Sequence, residues 1–172
     1  PFEAIRGVVE EELGLTLEQA FESFDEEPIG SASVGQVHVA RLPGGLEVVV
    51  KVQRPGASDT LNADIDLLYR LARMSKDRVK RLSFIDLEGL VDEFAKTVRQ
   101  ELDYRNEARN DEAVRRNFAG NAHVRVPRVY WRLTTGRVLT QDRLNGPTLA
   151  HVDLSEMTAD ERTEGIVWPD LV

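Results

Sequence analysis

Three features of this chain have the residue types to handle an anion: a lysine in a run of valines, a turn of small residues ahead of it, and three clustered carboxylates. Lys51 follows Val48-Val49-Val50 and precedes Val52, where its neighbours favour burial. A solitary ammonium in such a run needs an anionic partner to offset its lost hydration. The turn Gly30-Ser31-Ala32-Ser33-Val34-Gly35 has little side-chain bulk, so its backbone N–H groups can approach a phosphate closely. Glu101, Asp103 and Glu107 share one short stretch and repel one another unless cations sit among them. Together these parts meet the needs of phosphoryl-group binding, in which a protein supplies position and charge neutralisation more than covalent chemistry. The blander alternatives are a strand lysine that snorkels to water and an acidic helix face paired with Arg99, Arg105 and Arg109. His38, His123 and His151 lack ligand-like spacing and read as structural; no metal ligands are assigned.

The elements that must position these residues follow from periodicity and turn chemistry. Val37, Val39 and Leu42, then Val48 to Val52, predict two strands joined at Pro43-Gly44-Gly45. Ahead of them, Phe2, Ile5, Val8, Val9 and Leu13 recur at helical spacing, and Gly14 is placed to end that helix. Thr16 with Gln19 predicts a capping box, and Phe21 and Phe24 would dock the turn it starts. After Arg54-Pro55-Gly56, Ser58 or Asp59 caps a helix with Leu61, Ile65, Leu68 and Ala72 on one face, ending near Lys80.

Asp86 caps a long predicted helix from Leu87 to about Phe118. Leu87, Val91, Phe94, Val98 and Leu102 mark one stripe of it. At ~100° per residue, Tyr104, Asp111, Val114 and Phe118 fall with Glu107 on another. The carboxylates stand at this handover between faces. Residues 124–133 and 137–144 predict a second hairpin around Thr134-Thr135-Gly136, with Pro127 demanding an edge or a bulge. A last helix is expected from Thr158 or Asp160, interrupted at Trp168-Pro169. The order is helix, hairpin, helices, hairpin and tail, an α+β arrangement without internal repeats.

Composition narrows the function classes. The chain has 172 residues, 41% hydrophobic and 30% charged, enough for one ordinary core. It has no cysteine, which excludes disulfides and thiolate metal sites and is compatible with a reducing cytoplasmic setting. A net charge of −8 argues against a nucleic-acid surface. No apolar run approaches the roughly 20 residues that span a bilayer, and the N-terminus lacks a signal-peptide pattern.

Val48-Val49-Val50-Lys51 resembles the V-A-I-K strand of protein kinases. The words Pro28-Ile29-Gly30-Ser31-Ala32-Ser33-Val34-Gly35-Gln36-Val37-His38 and Lys51-Val52-Gln53-Arg54-Pro55-Gly56 resemble the ABC1, or aarF-domain, family more specifically. Its members are atypical, kinase-like ATP-binding proteins related to ubiquinone biosynthesis protein B. Gln100-Glu101-Leu102-Asp103-Tyr104-Arg105-Asn106-Glu107 is similar to the family's Glu-x-Asp motif with its following glutamate. The family's usual Ala-Ala-Ala-Ser loop is replaced by Gly30-Ser31-Ala32-Ser33, a more flexible version.

The resemblance implies a kinase-like N-lobe: a sheet of about five antiparallel strands, three from the first hairpin region and two from the second. A helix of the αC type would accompany the sheet, together with extra family-specific helices. Residues 1–27 become a helical extension, 28–145 the lobe with a helical insert at 58–85, and 146–172 the start of a truncated linker and C-lobe. Lys51 would bridge the α- and β-phosphates of ATP. Glu107 is the expected partner, since its helix face turns toward the second hairpin, with Glu101 as the alternative in the ligand-free state. Gly30, Ser31, Ala32, Ser33, Val37, Val49 and Leu144 would line the nucleotide pocket. Backbone groups near Gln141, Asp142 and Leu144 would read adenine, with Gln141-Asp142 standing where the family shows Met-Glu.

Glu101 and Asp103 take regulatory roles in this reading, holding either Mg²⁺ or a Lys-x-Gly-Gln segment that the family lays across its active site. That segment is expected upstream of Pro1. The His-x-Asp loop and Asp-Phe-Gly motif, with most Mg²⁺ ligands, are expected downstream of Val172, so the fragment should be inactive alone. The implied function is the ATP-binding lobe of an atypical kinase or ATPase. Its parent would support ubiquinone or other isoprenoid-lipid biosynthesis, with the C-lobe, and a membrane or isoprenoid lipid, as partners. The competing readings are a pseudokinase-type sensing or interaction module and an aminoglycoside-kinase-like phosphotransferase.

Overall fold

The valine run becomes the middle of a sheet. The computed structural model describes residues 1–32, 34–78, 86–121 and 123–145. The chain opens with helices α1 (Phe2–Leu13) and α2 (Leu17–Ala20), followed by strands β1 (Ser23–Phe24), β2 (Gly30–Ser31), β3 (Gly35–Arg41) and β4 (Glu47–Gln53). Helices α3 (Ala57–Arg78), α4 (Leu87–Glu101) and α5 (Tyr104–Asn117) come next, and strand β5 (Val138–Asp142) follows them. The strand order is β1-β3-β4-β5 with β2 also on β3, every pairing antiparallel. The fold class is therefore α+β, with an open five-stranded antiparallel sheet as expected.

Register decides which side chains share a face. Val37 pairs with Lys51 and Lys51 with Leu139; Val39 pairs with Val49 and Val49 with Gln141. The alternate residues Ala40, Val48, Val50, Val52 and Val138 lie on the other face and pack with Ile5, Val8 and Val9 of α1 and with Leu17, Ala20 and Phe21. Local signals set up that second layer. Gly14 ends α1 at φ 65°. The Thr16 hydroxyl accepts from the Gln19 amide at 3.3 Å while the Gln19 side chain accepts from Thr16 N–H at 2.9 Å. Phe24 meets Phe21 edge-on at 5.4 Å and His38 at 5.3 Å. Gly44 and Gly45 turn the β3–β4 hairpin with φ of 101° and 82°, which only glycine adopts freely.

The structure departs from the sequence reading in three places. The single long helix is two. α4 closes at Leu102, Asp103 is extended at φ −92°, ψ 97°, and α5 starts at Tyr104. Tertiary partners take the backbone groups freed by the break: Gln53 Nε2 donates to the Leu102 carbonyl, and Tyr104 N–H donates to the Gly136 carbonyl at 3.0 Å. The second hairpin is mostly not a hairpin: only Val129 bridges to Gln141, and Trp131–Leu133 is a 3₁₀ turn. Beyond that bridge, threonine hydroxyls satisfy part of the backbone. Thr140 Oγ1 donates to Leu133 O at 2.7 Å, and Thr135 Oγ1 accepts from Val138 N at 3.2 Å.

The strand count from each region shifts accordingly, to four in the first and one in the second. Finally, α3 begins at Ala57, ahead of the expected cap at Ser58 or Asp59; it buries Ile65 and Ala72 but leaves Leu68 37% exposed. The expected end near Lys80 and the last helix with its Trp168-Pro169 break lie outside the described residues. No described helix is long and apolar enough to cross a membrane.

Candidate functional site

Strand β4 presents Lys51 on the face opposite α1, and α5 brings Glu107 to it. Lys51 Nζ donates to both carboxylate oxygens of Glu107, at 2.9 and 2.8 Å. The side chains are 31% and 29% exposed, so the pair is partly shielded yet open to a ligand. The Lys51 ammonium also lies 4.9 Å from the ring centroid of Tyr104, one helical turn before Glu107. These groups border a cleft of about 930 Å³. Its wall includes Val34 from the small-residue turn, Leu61 of α3, Val98 and Glu101 of α4, and Asp111 of α5. That size suits a small-molecule ligand.

A buried polar layer supports the pair. Asp111 is 8% exposed and Gln141 3% exposed, and Gln141 Nε2 donates to the Asp111 carboxylate, tying α5 to β5. Burial, and then the nearby charge of Glu107, push the Asp111 carboxyl above the usual carboxylate range. Gln53, on the same face two residues beyond Lys51, is 1% exposed and holds the α4–α5 break. Burial, with Glu107 alongside, raises the Tyr104 phenol well above its ordinary value, so it stays a neutral O–H.

The residues singled out from sequence disperse into several environments. Val37 and Val49 are buried on the Lys51 face, at 6% and 7% exposure. Gly30 and Ser31 form β2 rather than open turn, paired with Val37 and Gln36. Ser31 Oγ accepts from Arg54 at 2.7 Å, and Ala32 N–H donates to Gly35 O at 2.9 Å, so the turn is closed upon itself. Ser33 lies outside the described residues.

Glu101 lines the cleft with Lys51 and Glu107, whereas Asp103 points away. Asp103 caps α5 by accepting from Arg105 N–H at 3.1 Å and accepts from the Arg105 guanidinium at 2.8 Å through each oxygen. The Arg105 guanidinium holds its carboxyl below the usual carboxylate range. Asp142 is engaged with the preceding segment, accepting from Tyr130 Oη at 2.6 Å and Arg128 N at 3.0 Å; Leu144 is half-buried. The Glu-x-Asp carboxylates therefore face different grooves. Among the described residues, no three His, Asp or Glu side chains converge as a metal site.

Gln53, Asp111 and the side-chain role of Gln141 were not singled out. Their signal was present: Gln53 and Gln141 are amides at inward positions of valine-rich strands, where a buried polar group requires a partner. His38 sits on the α1 face, 1% exposed, with its Nδ1 donating to Asp25 O at 2.9 Å. It packs away from the cleft; His151 lies outside the described residues.

Comparison with known proteins supplies the family. The family model of the ABC1 atypical kinase-like domain matches residues 1–166. A protein of Synechocystis sp., sll1770, is 41% identical over 163 residues, covering 95% of this chain and 28% of its own length. A probable protein kinase UbiB of Pseudomonas aeruginosa is 42% identical over 159 residues, covering 91% of this chain and 29% of its own. Among solved structures, that of Rv3197 of Mycobacterium tuberculosis in complex with erythromycin superposes with a TM-score of 0.77 at 34% identity. That superposition covers 87% of this chain and 37% of Rv3197. The chain spans less than a third of the length of these two curated relatives. With its valine-strand lysine bound to a helix glutamate and a family match along nearly its whole length, the chain belongs to the ABC1 atypical kinase-like family.

Proposed function

We propose that this chain is the ATP-binding lobe of an atypical kinase or ATPase. The observation that carries the reading is the Lys51–Glu107 pair at the mouth of the cleft, on the sheet face shared with Val37 and Val49. Bound ATP would supply a transferable phosphoryl group. Glu107 holds the Lys51 ammonium in one place, so the lysine meets phosphate oxygens without first being ordered. Val37 and Val49, buried on that face and outside the cleft lining, back Lys51, while Val34, Leu61 and Val98 are apolar residues of the cleft wall. Mg²⁺ fits as a companion of the nucleotide, with Glu101 as the cleft carboxylate nearest in function; the Asp103 carboxylate is committed to Arg105.

Kinship to proteins named UbiB supports placing the parent protein in ubiquinone or other isoprenoid-lipid biosynthesis, working with a C-lobe and with a membrane or its lipids. Isothermal titration with Mg·ATP or ADP is expected to show weak binding. The loss of one charge-assisted contact in Lys51→Ala should weaken it about 10- to 100-fold. Equal binding by the variant overturns the site.

The closed turn favours a second reading. With Ala32 N–H donated to Gly35 and Ser31 held by Arg54, the loop over the phosphates is restrained, as a sensing module without phosphoryl transfer would require. That reading predicts nucleotide binding with no phosphate release or transfer by the intact parent.

A further inference from the structure

Tyr104 has a feature that ion pairing leaves unused. Its hydroxyl is buried and has no hydrogen-bond partner among the described residues, an arrangement that folding tolerates only for a reason. Two neighbours supply one. A Cβ placed on Gly35 would lie 2.6 Å from the Tyr104 oxygen, closer than side-chain carbons come, and a tight 3.0 Å from the Val52 carbonyl oxygen, so the hydroxyl occupies the volume of the missing side chain. On the ring, the Lys51 ammonium rests 4.9 Å from the centroid. Gly35 ends the small-residue turn and begins β3, while Tyr104 begins α5, one turn ahead of Glu107.

We propose that Tyr104 is a positioning residue: its ring orients Lys51 beside Glu107, and its hydroxyl, keyed into the space over Gly35, fixes the phosphate turn to α5. The turn and the helix that carries Glu107 then move as one body, and any side chain at position 35 separates them. The lysine is held from two elements of α5, a carboxylate and an aromatic face. Removing the ring lets the ammonium wander even when Glu107 is intact.

The effect on nucleotide rests on Lys51 being the phosphate-binding lysine; the mechanical arms of the test do not. Thermal unfolding of the 172-residue chain is measured for Gly35→Ala, Tyr104→Phe and the double variant. Gly35→Ala is expected to lower Tm by about 5 °C. Tyr104→Phe, which removes an unmet hydroxyl, should leave Tm unchanged or raise it. The double variant should recover at least half of the Gly35→Ala loss. An equal loss in both backgrounds overturns the keyed hydroxyl.

Lysine side-chain NMR reads the ring. The chain has lysines only at 51, 76, 80 and 96, so Lys51→Arg assigns the signal. The Lys51 ε-methylene should be shifted by the ring in the parent and in Tyr104→Phe, and should return to the position of the other lysines in Tyr104→Leu. A shift that survives Tyr104→Leu overturns the orienting role. Affinity for a fluorescent ADP analogue should be about 3- to 10-fold weaker in Tyr104→Leu than in Tyr104→Phe, which keeps the ring. If the parent itself binds no nucleotide, the function proposed for Lys51 fails, while the thermal cycle and the NMR shift still decide Tyr104.

Discussion

The two faces of the sheet use the same valine-rich strands for different ends. Toward α1 and α2, Ala40, Val48, Val50, Val52 and Val138 meet Ile5, Val9, Leu17 and Phe21 as an apolar layer. His38, on that side, lies among Phe2 and Phe24. Toward α5, Lys51, Gln53 and Gln141 interrupt the apolar residues, and each is held by a named partner: Glu107, the Leu102 carbonyl and Asp111. The first face is held by volume and hydrophobic burial, which tolerate exchange of one apolar group for another. The second is held by pairwise complementarity, in which loss of one member strands the other. A kinase-like lobe needs both, a rigid backing and a polar front whose groups stay where a ligand meets them.

Four experiments test this division, in order of expected size. Phe21→Ala should destabilise the chain by about 3–5 kcal/mol, through a cavity in the α1 layer, as read by urea unfolding. Nucleotide affinity measured where the variant remains folded should not change; a parallel loss of affinity would erase the distinction between the faces. Next, Gln141→Leu preserves bulk but leaves the Asp111 carboxyl buried and unmet, at about 1–3 kcal/mol. Combining it with Asp111→Leu should recover part of the loss, and strict additivity would show that the two are not coupled.

Asp103→Ala removes the α5 cap and should be worth about 1 kcal/mol, with Asp103→Asn retaining most of it. If Asp103→Ala instead behaved like Lys51→Ala in nucleotide titrations, the placement of Asp103 outside the cleft would be wrong. The smallest effect is one of pH. Burial lowers the His38 value from its ordinary 6.5, so the unfolded chain takes up the proton more readily. Stability from this group is full above pH 6.5 and declines as pH falls through it. Asp111 has the opposite sign: its raised carboxyl favours the folded state most at acid pH, and that contribution is lost as pH rises above the ordinary 3.8. Melting curves across pH should lose the first slope in His38→Gln and the second in Asp111→Asn.

Much of the lobe was legible before any coordinates. Local chemistry marked α1 with its Gly14 terminus, the Thr16–Gln19 box, the Pro43-Gly44-Gly45 turn and the two strands around it, because each depends on residues a few positions apart. Where the reading failed, a distant group had intervened. The stretch from Leu87 to Phe118 has unbroken helical periodicity, and nothing local announces that Gln53 and Gly136 will take the backbone groups at Leu102 and Tyr104. Residues 124–133 have strand composition, but pairing stops after the Val129–Gln141 bridge: Trp131–Leu133 forms a 3₁₀ turn, and the hydroxyls of Thr134 and Thr140 take the Tyr130 and Leu133 carbonyls.

What the amino-acid sequence determined by itself is therefore the content of each element: a lysine on one face of a valine strand, an apolar stripe on α1, and carboxylates near the middle of a helical region. Only the tertiary structure decided which of those carboxylates meets Lys51, that Glu101 and Asp103 part company, and that Tyr104 fills the space left by Gly35. The physical reason is one of range. Periodicity and capping are settled within a turn or two of the chain, whereas the angle between α4 and α5 depends on hydrogen bonds to residues about fifty and thirty positions away.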